Sequence, residues 1–185
     1  PWSSMVTTSD ASLSGVAVCS RDLPVREVAR HGRVRETWRY VSGNPVRPRE
    51  VLVETGDPFS DPSTVKPLAV KRSDPYELNF DFPDIEEDVM QKDQWAECFA
   101  IHMQHAEHIT LLEGRGVVAA LRHKFRATQQ FGMKHLHFTD NMSVVLLCSK
   151  GRSGTFGMLR VCRRLACLLL ATDSALQVRW VSSER

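Results

Sequence analysis

Seven of the nine prolines of this 185-residue chain, at 45, 48, 58, 62, 67, 75 and 83, fall between Asn44 and Asp93. Each locks φ and removes a backbone N–H donor, so a stretch this rich in proline is neither regular helix nor interior strand. The same stretch holds twelve acidic residues against six basic ones and contains the run Asp84 to Asp88. The sequence therefore predicts a long, irregular, acidic insertion over 44–93. Its charge also conceals something. The whole chain is only +2, but with the insertion set aside the remainder is +8.

That remainder reads as alternating strands and helices. Residues 5–10 and 15–19 are β-prone runs around a turn, which suggests a hairpin, and 37–41, with Trp38 and Tyr40, suggests a third strand. A helical apolar pattern covers 111–125, weakened at its start by Gly114 and Gly116. Residues 135–139 alternate as a strand with Leu136 and Phe138 on one face, and 142–148 continue as a short helix. Ser153 is the expected N-cap of a longer helix through Ala171, and 176–181 closes as a strand containing Trp180. This order predicts an α/β fold, a mixed sheet flanked by helices, in one domain over 1–185. The longest apolar stretches, such as 165–171, are far shorter than the ~20 residues a membrane span requires. Five cysteines, at 19, 98, 148, 162 and 167, form no C-x-x-C pair and leave one over in any disulfide scheme, which fits a reducing, intracellular compartment.

Three acidic residues stand at the ends of these elements: Asp10 after the first strand, Glu113 in the first turn of a helix and Asp140 after a later strand. If the two strands are neighbours and the helix crosses them, the three carboxylates meet at one edge. Such a group needs a compensating cation, and an oxygen-only donor set selects Mg²⁺ or Mn²⁺. Each residue also has a structural explanation. Asp10 could open a turn, Thr110-x-x-Glu113 matches a capping box, and Asp140-Asn141 could cap the next helix.

Four stretches occur in a telling order: Ser9-Asp10-Ala11-Ser12-Leu13-Ser14-Gly15, then 111–121 with Leu112-Glu113-Gly114, then His137-Phe138-Thr139-Asp140-Asn141, then Val178-Arg179-Trp180-Val181-Ser182-Ser183-Glu184. In this the chain resembles the ribonuclease H domain of retroelement reverse transcriptases, of the DIRS type or related. The resemblance implies a ribonuclease H-like fold that cuts the RNA strand of RNA/DNA hybrids, joined in its parent protein to a reverse transcriptase domain. It implies Asp10, Glu113 and Asp140 as catalytic metal ligands for Mg²⁺ or Mn²⁺. It also implies a further Asp beyond the Trp180 stretch, and Ser182 stands where the family commonly has Pro. With the chain ending at Arg185, the expectation is a domain truncated at its C-terminus. A copy that keeps the fold and binds nucleic acid or protein without cutting is the alternative.

Lys150, Arg152, Arg160, Arg163 and Arg164 form a basic stretch, as do Arg122, Lys124 and Arg126. In a remainder of net +8 these read either as a solvated face or as a surface that follows phosphates. His102, His105 and His108, near Glu107, have three-residue spacing, but no Cys or distant His pair completes a zinc site, and the segment reads as ordinary polar chain. His135 and His137 alternate on one strand face and read as structural. Gly151-Arg152-Ser153-Gly154 lacks the ending of a phosphate loop, and no Y-x-D-D polymerase signature is present.

Overall fold

The computed structural model describes residues 1–42, 76–103 and 107–182. Two compact units emerge, one made of residues 1–37 and 83–185, the other of residues 38–82. In the first, strands β1 (Met5–Ser12) and β2 (Gly15–Asp22) form the expected hairpin, closed by the two residues Leu13 and Ser14. Helix α1 (Val25–Gly32) follows. In the second unit, β3 (Tyr40–Ser42) pairs antiparallel with β4 (Tyr76–Leu78). The first unit resumes with β5 (Ala96–His102), α2 (Ile109–Lys124), β6 (Lys134–Thr139), α3 (Met142–Lys150), α4 (Phe156–Ala171) and β7 (Ala175–Trp180).

The mixed five-stranded sheet runs β5-β2-β1-β6-β7. β5, β2 and β1 are antiparallel neighbours, whereas β1, β6 and β7 run parallel. Helices α2, α3 and α4 cover one face, where Val117, Leu121, Val144, Val161, Leu165 and Val178 pack together. On the other face Val6, Leu136 and Phe138 meet Val28 of α1 and the segment carrying Ile85 and Val89. Leu136 and Phe138 thus share a face, as the alternation requires.

Three expectations need correction. Residues 37–41 do not form the third strand of the sheet: Glu36–Arg39 is a 3₁₀ turn and Tyr40–Ser42 pairs only with β4. The third strand is β5, whose residues are mostly exposed at the sheet edge and so lack a buried-face alternation to read. Helix α1 escaped the pattern because it is short, follows Pro24 without a side-chain cap, and buries only Val28, His31 and Gly32. The irregular insertion does not extend to residue 93. Residues 83–93 belong to the first unit, with Ile85 and Val89 in its core. Residues 44–75 lie outside the described part. The longer helix begins at Phe156 after Thr155, and Ser153 accepts the Thr155 amide instead of capping the helix.

Gly116 decides how closely α2 lies on the sheet. A Cβ there would stand 2.7 Å from Ser9 Oγ on β1, a distance no side chain tolerates. The glycine that weakens the helix in isolation is therefore what lets its first turns reach β1.

Candidate metal centre

β1 and β6 are parallel neighbours, with Thr7 opposite His137 and Thr8 opposite Phe138. Continuing that offset brings Asp10 level with Asp140 at the same end of the two strands. The backbone around Asp140 is clamped on both sides. The Trp180 indole N–H donates to the Asp140 carbonyl at 2.8 Å, and the Val181 amide donates to the Thr139 carbonyl at 3.0 Å. Immediately afterwards Asn141 caps α3, its Oδ1 accepting from the Val144 amide at 3.2 Å. The capping role thus belongs to Asn141 and leaves the Asp140 carboxylate exposed.

Glu113 arrives from α2. It is 3% exposed, and its Oε1 accepts the Ala11 amide of β1 at 3.0 Å. That bond excludes the capping-box reading, because the N-terminus of α2 is capped by His108, whose Nδ1 accepts from Thr110 N. The other oxygen, Oε2, is buried and has no hydrogen-bond partner. One carboxylate oxygen from each of Asp10, Glu113 and Asp140 lies within 4.8 Å of the others.

The electrostatics follow from this crowding. Burial, reinforced by the charges of Asp140 and Asp10, pushes the Glu113 carboxyl up to about 7, against the opposing pull of the Ala11 amide and, more weakly, of the Thr139 side chain. Asp140 is also raised, by burial and by Asp10. Three carboxylates, one of them buried with an unsatisfied oxygen, form a site of excess negative charge. The donor set is oxygen only, and the three residues could hold a metal ion.

Beneath the site lies a polar layer that has no unmet demand. His137 is buried and bonds Thr7 Oγ1 at 2.9 Å through Nδ1 and Ser9 Oγ at 3.1 Å through Nε2. Burial holds it down at about 3. With both nitrogens engaged it is a structural histidine and not a proton shuttle. His135 bonds the Gln130 carbonyl at 3.0 Å and is likewise lowered, to about 4, by burial and the nearby Lys124. Lys124 corrects an expectation. It is 2% exposed and donates to the Met5 carbonyl, so it belongs to the interior and not to a phosphate-following surface.

The other basic residues are exposed. Arg163 and Arg164 join Arg122 around a groove of about 490 Å³ between α4 and α2, floored by Val118 and Leu168. Lys150 ends α3, Arg152 lies in the loop beyond it, and Arg160 is on α4. Among the described residues none of these side chains makes an ion pair. His102 is exposed in β5, and Glu107 pairs with Arg115 at 2.6 Å. His105 lies outside the described residues, as do Ser183 and Glu184. Two elements of the site had no sequence signal: the Ala11 amide that orients Glu113, and the cleft beside Asp10 and Asp140, partly walled by residues 90–95.

No helix among the described residues is long and apolar enough to cross a membrane. No protein-family model, curated protein or solved structure matches the chain.

Proposed function

We propose that this chain is a ribonuclease H-like domain of retroelement origin, in which Asp10, Glu113 and Asp140 hold Mg²⁺ or Mn²⁺ for cutting the RNA strand of RNA/DNA hybrids. One observation carries the reading. Residues 27 to 130 positions apart in the chain bring three carboxylate oxygens within 4.8 Å, and the most buried of them keeps an oxygen without a hydrogen-bond partner. Isolated structural roles for the three would not require that convergence. The sheet supports the reading as well, since the resemblance implies a mixed sheet flanked by helices.

Hydrolysis of a phosphodiester needs an activated water and a stabilised leaving oxygen, and bound divalent ions supply both. The chain's own residues prepare the place. Asp10 and Asp140 present exposed carboxylates at one strand edge. Glu113 is anchored through one oxygen by the Ala11 amide and offers the other. Because its carboxyl sits near 7, Glu113 gives up its proton as the ion is taken, so occupancy strengthens as pH rises. Arg122, Arg163 and Arg164 are the proposed contacts to the phosphates of the duplex, with Lys150, Arg152 and Arg160 adding to the positive surface.

The test pairs ion binding with cutting. In the full chain, millimolar Mn²⁺ or Mg²⁺ is expected to raise the melting temperature, more at pH 8 than at pH 6. Asp140→Asn keeps the shape, removes the charge and is expected to abolish that rise. The RNA strand of a labelled hybrid is expected to be cut in either ion by the wild type and not by Asp140→Asn. Folded protein with no response to either ion and no cutting overturns the proposal. An ion response and hybrid binding without cutting would instead favour the non-cutting binder.

A further inference from the structure

We infer that Lys92 is the phosphate contact of the strand lying against Asp10 and Asp140. The inference rests on the nuclease reading above. Beside the two carboxylates opens a cleft of about 460 Å³, whose lining includes Lys92, Trp95 and Glu97. The wall bearing Lys92 is held firmly. Ile85 and Val89 are buried in the core, and Arg21 donates to the carbonyls of Asp88 and Val89 at 2.9 and 2.7 Å. The Trp95 indole N–H donates to the Val89 carbonyl at 3.1 Å, and its ring meets Phe138 edge to face at 6.1 Å. Lys92 opens the short 3₁₀ turn Lys92–Gln94 between these anchors. Its ammonium is exposed and makes no hydrogen bond or ion pair among the described residues.

The charges facing this cleft select the ligand. Among the described residues that line it, Asp10, Asp140 and Glu97 are negative and Lys92 is the one positive group. Such a cleft repels a phosphate until cations neutralise Asp10 and Asp140, after which Lys92 is a free cation beside the ion site. Met90, Trp95 and Val181 give an apolar flank within the same cleft. A positive group next to an aromatic and apolar wall suits a nucleotide unit, with the phosphate on Lys92 and the sugar and base along Trp95.

The experiment measures anisotropy of an end-labelled RNA/DNA hybrid whose RNA strand carries 2′-O-methyl groups that block cutting, on the full chain, in Mg²⁺ and in EDTA, with intact strands verified on a gel. Lys92→Gln is expected to weaken binding about three- to ten-fold in Mg²⁺ and to lower the salt slope by about one. In EDTA it is expected to match the wild type, and Lys92→Arg is expected to restore affinity in Mg²⁺. The Mn²⁺ melting shift is expected to be the same in all three proteins, which also verifies their folding. Unchanged affinity and slope for Lys92→Gln in Mg²⁺ overturns the inference, as does an equal loss in EDTA, which marks a general surface charge. A wild type with neither a Mn²⁺ shift nor Mg²⁺-dependent hybrid binding overturns the nuclease reading itself.

Discussion

Glu36 and Glu113 are both buried carboxylates, 0% and 3% exposed, yet their surroundings are opposite. Glu36 Oε1 accepts from Arg179 Nε at 2.6 Å and from the Trp180 amide at 3.0 Å. Arg179, also fully buried, donates through Nη1 to the His31 carbonyl at 2.9 Å and through Nη2 to the Pro83 carbonyl at 2.6 Å. The carboxylate there is neutralised by a guanidinium each of whose nitrogens has an acceptor. Glu113 has one amide, one orphaned oxygen and two further acids within reach. Burial of charge is therefore not in itself a sign of function. What sets Glu113 apart is the absence of a counter-charge, a deficit the fold meets by keeping the proton up to about 7.

The largest expected effect comes from breaking the satisfied site. Arg179→Met removes the buried guanidinium that Glu36 Oε1 meets at 2.6 Å and is expected to cost about 3–5 kcal/mol in urea unfolding. A loss below 1 kcal/mol would show that the pair is no better compensated than Glu113, and the contrast would disappear.

Glu113→Gln is expected to act in the opposite direction. In the unfolded chain Glu113 ionises above about 4.5, whereas in the fold it keeps its proton to about 7. The group's stabilising contribution is thus complete below 4.5 and is lost as pH rises through 7, where the buried charge costs on the order of 1–3 kcal/mol. In EDTA at pH 8 the Gln variant is expected to be more stable than the wild type by about that amount, with the gap closing toward pH 4.5. A destabilised variant at pH 8 would show that Glu113 is compensated within the fold.

The smallest effect sharpens the contrast from the side of the cations. Arg163 and Arg164 are exposed where Arg179 is buried. The double change Arg163→Glu, Arg164→Glu is expected to move stability by no more than about 0.5 kcal/mol. Hybrid affinity, measured by anisotropy, is expected to fall several-fold and to lose part of its salt dependence. An effect on folding comparable to that of Arg179→Met would remove the distinction between a surface cation and a structural one.

The elements around the candidate site were readable because their signals are local. Alternation marks β6, with Leu136 and Phe138 inward on one face, and helical spacing marks α2 and α4. β5 was not readable, since an exposed edge strand needs no alternation, and neither was the end of the proline-rich stretch, where two apolar residues, Ile85 and Val89, suffice to bring the chain back into the core. Lys124 looked like its neighbours Arg122 and Arg126, but its place on the helix turns it inward to the Met5 carbonyl.

For the acids, residue type and position at element ends were enough to single out Asp10, Glu113 and Asp140. They were not enough to choose between a cap and a ligand, since Thr110-x-x-Glu113 reads equally well as either. The tertiary structure excluded the cap by setting the Ala11 amide against one oxygen of Glu113 and bringing Asp10 and Asp140 close to its carboxylate. The same holds for Glu36 and Arg179, partners across 143 positions, and for Lys92, which lines a cleft with Asp10 and Asp140 only through the packing of Ile85, Val89 and Trp95. Backbone periodicity is a property of residues a few places apart and is written in their order. Desolvation and Coulomb interaction depend on distance through space, which exists only once the chain has folded.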